Sequence, residues 1–415
     1  MHFKLIKTEK LNIQVLIKRY LTYTPEGHHV ISRNLVNALL LNLDTKRMNF
    51  HIITFEDLFH GNSIIKINGK NINRRFLSRI ESLKISSYKV VGLCSSVLYS
   101  VLLTTSVYKS VVNYDVIHVL NISKEPLLIR YLLQPSISKF LVLHLFHSVK
   151  LFNNFPFNLR TLILRLISKH NVIILCTNRM LVRYLKSRIK TLQVYYIPIP
   201  INTQKFKPVN NYTKRKIRQL YKVPINSIVV TYIGNIHPDR GIFSLLNAVR
   251  ILKSSFKNIV LVVVFPPPGG PIVKWYYLKF RELINKYTLR DRVILLQGIY
   301  PVSQIYSFSD IIVLPFKRVH MITDPPVVVA EALASATPLI TTPIGSICDL
   351  ASFDKCLFSK PGDSADLADK ISALIEDRTL AKKIACNARK FAEKNLSYES
   401  ISRRIMNLYT SLGIG

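Results

Sequence analysis

Apolar positions follow two alternating rhythms along this chain. Short β-branched runs at 13–17, 50–54, 115–120, 140–146, 171–176 and 194–197 predict strands in the first half. The stretches 30–41, 159–170 and 180–190 between them predict helices. The second half repeats the pattern, with strands predicted at 228–233, 259–265, 293–298, 310–315, 339–342 and 356–358. A helix is predicted at 242–255 and another at 366–377, where Leu367, Ile371, Leu374 and Ile375 form the stripe of a helix packed on a sheet. Strands alternating with helices predict parallel sheets covered on both faces. Between the halves, "PIPINTQKFKPVNNYTKRK" carries three prolines, paired asparagines and a basic run, and predicts a linker around 200–215. The expected architecture is α/β: two Rossmann-like doubly wound domains facing across a cleft, spanning 1–205 and 206–395. In such sheets ligands bind beyond the carboxyl ends of the strands.

Composition agrees with a folded chain and adds one constraint. The 415 residues are 49% hydrophobic, with a mean hydropathy of +0.22. Lys and Arg number 58 against 23 Asp and Glu, a net charge of +35. Residues 1–200 hold 28 basic and 8 acidic residues, so the excess is spread over both halves. Such a field attracts phosphates of some kind: nucleic acid, anionic lipid or nucleotide ligands. The cysteines, Cys94, Cys176, Cys348, Cys356 and Cys386, show no metal-ligand spacing and read as free thiols of a reducing compartment. The N-terminus lacks an apolar signal core, which predicts a cytoplasmic protein. Residues 90–108 contain no charge, but six are Ser or Thr, which favours a buried or interfacial helix over a membrane span.

The chemistry gathers in a few stretches. "DPPVVVAEALAS" predicts a helix from about Pro325 to Ser335, capped by Asp324. Its first N–H groups, those of Val327 and Val328, form a phosphate site. Glu331 lies further along, the one acid of that helix. A carboxylate there accepts from a diol such as a ribose, or pairs with a nearby Lys or Arg. "YIGNIHPDRG" ends a strand at Gly234, where a backbone can approach a ligand, and Arg240 follows with a planar fork suited to a diphosphate. Gly345 and Ser346 in "TTPIGS" form a tight turn at a strand end. In the first half, Gly27 sits in "TPEGHH", while His118 and His147 lie at or just past strand ends. No GxxxxGK[ST], HExxH, GxSxG or GxGxxG pattern occurs.

Together these stretches resemble the retaining glycosyltransferases of family 4, whose two-Rossmann-domain architecture is called GT-B. "YIGNIHPDRG", "DRVILLQGIY", "DIIVLP", "EALASATPLITTPIGSICDL" and "KPGDSADLADKI" match that family's blocks in order, and "VYYIPIPINTQKFKPV" is similar to the end of its first domain. The resemblance implies sugar transfer from a nucleotide-diphosphate donor to a glycan or lipid-linked acceptor. It assigns Glu331 to the donor ribose, Arg240 to the leaving diphosphate and His147 to the vicinity of the transferred sugar. It assigns donor contacts to Gly27, Gly234, Gly298, Asp324, Val327, Val328 and Gly345. It implies no required metal and no further cofactor, the nucleotide sugar being a substrate. It also implies a last helix near 397–412, within 396–415, that crosses back to the first domain. Three positions depart from the family pattern: Thr323 stands for a Glu, Asn235 for a basic residue and Ala336 for a Gly.

Basic stretches such as 73–84 and 182–190 suit an anionic membrane surface, placing the protein peripherally on the inner face of the membrane. Other readings are a nucleic-acid-binding protein driven by charge, or a nucleotide-sugar epimerase or phosphorylase on the same fold. The chain has no helix-turn-helix, zinc-finger or RNP pattern, so no specific nucleic acid is expected.

Overall fold

The computed structural model describes residues 171–412 apart from 268–269, 299 and 320–323. Before 171 it describes the strands given below and the helical residues 30, 31, 34, 35 and 37–39. The expectations for Gly27, His147, Thr323, 73–84, 90–108 and 159–170 lie outside the described residues. The chain forms two compact units, Met1–Ile197 with Ile401–Gly415, and Pro198–Ser400.

In the first unit, β1 (Leu11–Ile17) and β2 (Met48–Thr54) are followed by a short antiparallel hairpin, β3 (Ile65–Ile67) and β4 (Lys70–Ile72), which the sequence reading did not anticipate. β5 (Tyr114–Leu120), β6 (Ser138–Leu145), β7 (Val172–Cys176) and β8 (Gln193–Tyr196) complete a six-stranded sheet of order β2-β1-β5-β6-β7-β8. All its neighbours are parallel. β7 reads VIILC and is buried at every position, as a strand covered on both faces must be. Helix α1 (Arg179–Arg188) runs between β7 and β8, capped by Asn178, and buries Leu181 and Leu185.

The expected linker is not a free connector. The boundary falls at Ile197/Pro198, and residues 198–215 belong to the second unit. Ile199, Ile201 and Phe206 are buried, and Ile201 donates its N–H to Leu396 O. Arg389 donates to the carbonyls of Thr203 and Phe206 at 2.9 and 2.5 Å. The basic run becomes helix α2 (Asn211–Leu220), capped by Asn210. Its Arg218 is buried, donates to the carbonyls of Phe308, Ile225 and Ser227, and pairs with Asp310 at 2.7 Å. Lys214 pairs with the same carboxylate at 2.6 Å. Burial alone would raise the Asp310 pKa, but Lys214, the Val229 N–H and Arg218 prevail and hold it below the usual range. The prolines and asparagines suggested a flexible segment; three cations bonded to carbonyls and one carboxylate fix it instead.

The second unit holds β9 (Ile228–Ile233), α3 (Ile242–Leu252), β10 (Ile259–Phe265), α4 (Pro271–Lys286), β11 (Val293–Gln297), α5 (Val302–Phe308) and β12 (Ile311–Leu314). Then come α6 (Val327–Ala334), β13 (Leu339–Thr341), α7 (Ile347–Leu350), β14 (Leu357–Phe358), α8 (Ser364–Glu376) and α9 (Arg378–Asn395). The last helix, α10 (Tyr398–Ser411), passes into the first unit from Ile401 onward. The strand order is β11-β10-β9-β12-β13-β14, every pair parallel. β10, IVLVVVF, is buried throughout. The helices α3 and α8 lay Leu245, Val249, Leu367, Ile371 and Leu374 into one core with this sheet. The order reverses between β9 and β12, and a crevice opens outside the carboxyl ends of strands at such a reversal.

Candidate functional site

The loops at that reversal carry most of the residues singled out in the second half. β9 ends at Ile233, and Gly234 follows with φ +146°, its N–H still bonded to Val264 O. The loop then forms a 3-10 turn, Pro238–Arg240, capped by His237. A Cβ on Gly234 would sit 2.9 Å from Arg240 Nη1, so the guanidinium lies directly over the bare backbone. The loop is anchored to the end of β12. Asp239 O accepts from the N–H groups of Lys317 and Arg318, and a Cβ on Gly241 would overlap the Pro315 carbonyl. Gly241, at φ +76°, is therefore fixed by both its conformation and the space around it.

Tyr232 was given no role in the sequence reading, yet it orients this loop. It is fully buried in β9, and its hydroxyl donates to Asn235 O at 2.8 Å. Burial pushes that hydroxyl up to about 12, while the charge and hydrogen bond of Arg240 pull the other way. The phenol thus links both ends of the Gly234–Arg240 loop. A tyrosine inside an otherwise apolar strand was the available signal, because a buried hydroxyl needs a partner.

The helix α6 is shorter than expected, Val327–Ala334, and its N-cap is Pro326. Asp324 does not cap it. Asp324 lies too far before the first turn, and its buried carboxylate instead accepts from Ser346 N at 2.8 Å and from the Ser346 hydroxyl. That bond corrects the expected cap: Asp324 is committed to the turn after β13 rather than to a helix end, and it engages the Ser346 N–H. Gly345 lies against Asp324 and Val319. The N–H groups of Val327 and Val328 make no hydrogen bond to described residues, whereas Val329 N–H bonds back to Pro326 O.

Glu331 is buried at 8% exposure in a helix otherwise made of Val, Ala and Leu. The Tyr306 hydroxyl, on α5, lies 3.1 Å from Glu331 Oε2 and 3.0 Å from Val328 O. Tyr306 is itself buried, with its ring edge-on to Phe206 at 5.8 Å. Burial first, and Glu331 second, hold its hydroxyl well above the ordinary tyrosine value. Tyr306 was also missed from sequence, although "SQIYSFSD" presents an aromatic hydroxyl on the apolar side of a short helix.

Gly298 follows β11 with φ +140°, and its N–H bonds Phe265 O. It lies at the same end of the sheet as Gly234, Val327 and Gly345. His118 is buried in β5, with Nδ1 2.8 Å from Tyr409 of α10 and its ring stacked on His144 at 5.5 Å. Among the described residues no cluster of three or more His, Cys, Asp or Glu is placed to hold a metal ion. No described helix is long and apolar enough to cross a membrane.

Comparison with known proteins adds to this geometry. Residues 213–391 match the family model of Glycosyl transferases group 1, and this stretch contains Gly234, Arg240, Gly298, Glu331 and Gly345. The capsular polysaccharide biosynthesis glycosyltransferase CapM of Staphylococcus aureus is 27% identical over 212 residues, 51% of this chain and 52% of CapM. The teichuronic acid biosynthesis glycosyltransferase TuaC assigned in Bacillus subtilis is 28% identical over 179 residues, 42% of this chain and 40% of TuaC. The chain spans about half the length of the curated relatives it matches. Among solved structures, HepE of Anabaena in complex with UDP is similar with a TM-score of 0.72 at 16% identity, covering 97% of this chain and all of HepE. Sucrose-phosphate synthase of Thermosynechococcus elongatus gives 0.73 at 18% identity, covering 97% and 99%. The fold is that of the GT-B glycosyltransferases, with two Rossmann-like domains.

Proposed function

We propose that this chain transfers a sugar from a nucleotide-diphosphate donor to a glycan or lipid-linked acceptor, with retention of configuration. The observation that carries the reading is Glu331, a carboxylate buried behind an anion-ready helix start, within the stretch that matches Glycosyl transferases group 1. The names of CapM and TuaC, assigned to capsular polysaccharide and teichuronic acid biosynthesis as glycosyltransferases, support glycosyl transfer. HepE was solved with UDP and with UDP-glucose, which supports a nucleotide-sugar donor.

In this reading the diphosphate lies between Arg240 and the N–H groups of Val327 and Val328. Both favour charge as it builds on the leaving phosphate, because fixed donors aimed at that position need no reorganisation. The guanidinium fork and a helix start supply this positive field, so the scheme calls on no metal. Glu331 accepts from the ribose hydroxyls, and Gly298 lets the base approach the end of β11. The resemblance to the family 4 glycosyltransferases also assigns Gly27 and His147 to the donor. The acceptor reaches the enzyme at the cytoplasmic face of an anionic membrane.

The test is calorimetric titration of UDP, GDP and ADP into the wild-type chain and Glu331→Ala. One nucleotide binds, and the substitution weakens it by at least ~1 kcal/mol, the scale of lost hydrogen bonds to a charged group. A wild type that binds none of them, or a variant that binds equally well, defeats the donor-site assignment.

A further inference from the structure

Helix α4 is apolar on two sides. One side places Phe280 and Ile284 in the core of the second unit. On the other, Ile272, Trp275 and Leu278 are 69%, 59% and 52% exposed. Spaced three residues apart, they line one stripe along the helix. Folding leaves this stripe in water, and an apolar surface of that kind marks a place of contact. Lys274 and Arg281 are exposed on the same helix, Lys286 and Arg290 are exposed at and just past its C-terminal end, and the one acid on the helix, Glu282, is paired with Lys279 at 3.1 Å.

The stripe begins at the end of the unit that holds the candidate site, since α4 follows β10 from its carboxyl end. Trp275 packs edge-on to Tyr276 at 5.1 Å, and Tyr276 packs edge-on to His237 at 5.0 Å. His237 caps the turn that carries Arg240. Aromatic contacts therefore run from the exposed indole into the Arg240 loop.

An indole between two aliphatic side chains, on a helix that also exposes Lys and Arg, has the chemistry of a lipid interface. The ring sits at headgroup depth, the aliphatics enter the acyl boundary, and the cations meet lipid phosphates. A polyanion such as RNA would engage the cations and leave Ile272 and Leu278 in water. We propose that α4 docks on an anionic phospholipid surface through Ile272, Trp275 and Leu278. Docking through this helix brings the Arg240 loop to the membrane. The inference rests on the proposed function only in giving that docking a purpose, delivery of a lipid-linked acceptor.

Trp275 is the single tryptophan of the chain, so its emission reports on this face alone. The full chain is titrated with vesicles of phosphatidylglycerol and phosphatidylcholine, with vesicles of phosphatidylcholine only, and with vesicles carrying brominated acyl chains. The expected result is a blue shift and bromine quenching on the anionic vesicles and neither on phosphatidylcholine alone. Ile272→Ser/Leu278→Ser, which keeps the reporter, partitions at least ~10-fold more weakly, the effect of removing buried apolar area, with an unchanged thermal transition. The proposal is overturned by unchanged emission where the protein sediments with vesicles, by failure to sediment, or by a double variant that partitions like the wild type. It is equally overturned if the blue shift needs no lipid and follows a doubling of mass, or is produced by RNA but not by vesicles. A chain that binds nucleotide but ignores vesicles loses only the docking face. One that docks but binds no nucleotide loses only the transferase reading.

Discussion

At the scale of single residues, two buried tyrosines carry as much of the candidate site as the charged residues that drew attention first. Under the proposed function Arg240 and Glu331 are the groups that touch the donor, and each lies against a phenol: Tyr232 at the Arg240 loop, Tyr306 at Glu331. The Tyr306 hydroxyl has one hydrogen and two acceptors within reach, Val328 O and Glu331 Oε2, so it ties the carboxylate to the backbone of its own helix. If Glu331 holds the ribose diol, Tyr306 sets the angle at which it does so. Tyr306→Phe keeps the ring against Phe206 and removes only the hydroxyl. The wild type then prefers the diphosphate nucleotide over its 2′,3′-dideoxy analogue, and the variant loses roughly fivefold of that preference, the worth of about one hydrogen bond. Calorimetry with both nucleotides decides the matter. Equal weakening of the two, with the preference intact, would make Tyr306 a packing residue and nothing more.

At the scale of elements, the sheets were legible and the helix ends were not. Every predicted strand is present to within two residues at either end, because uninterrupted β-branched runs such as IVLVVVF have one comfortable home, a strand covered on both faces. The linker was misread because local chemistry, Pro and Asn and a basic run, says nothing of Asp310, ninety residues downstream, to which Lys214 and Arg218 are bonded. Asp324 was misread for a similar reason: its partner, Ser346, comes from the next strand's turn. The family position where Ala336 replaces glycine now has a physical reading. Ala336 follows the C-cap of α6 at φ +52°, the left-handed conformation that ends a helix and favours glycine. Lys222 and Thr288, at φ +54°, end α2 and α4 in the same way. Ala336→Gly relieves a left-handed penalty of about 1–2 kcal/mol and adds chain entropy worth about 0.4–1 kcal/mol to the unfolded state. The net expectation is a gain of about 0.5–1 kcal/mol, read as a higher urea midpoint at unchanged slope. A lower midpoint would mean that the methyl group packs usefully where it is.

At the scale of the whole molecule, most of the last helix belongs to the same unit as the first strand. Residues from Ile401 onward belong to the first unit, so that unit is complete only when the last helix has been made. The bond between His118 and Tyr409 lies at this closure, inside a stack with His144. Burial lowers the His118 pKa to about 3 from an ordinary 6.5, and His144 falls well below its usual value for the same reason, aided by His118. Both imidazoles are therefore neutral in the folded chain, while the unfolded chain takes up their protons below about pH 6.5. Stability rises with pH wherever the unfolded state binds more protons, so the folded state weakens as pH falls from 6.5 toward 3 and the effect is absent above that window. Each such proton contributes about 1.4 kcal/mol per pH unit. His118→Asn removes one titrating group, and urea unfolding between pH 7.5 and 5 should show an acid slope shallower by about one proton than the wild type. The absolute stability of the variant does not matter to this comparison, because a lost hydrogen bond to Tyr409 shifts the curve without tilting it. An identical slope would mean that His118 is not buried and neutral at the closure, and that the return of α10 is held by apolar packing alone.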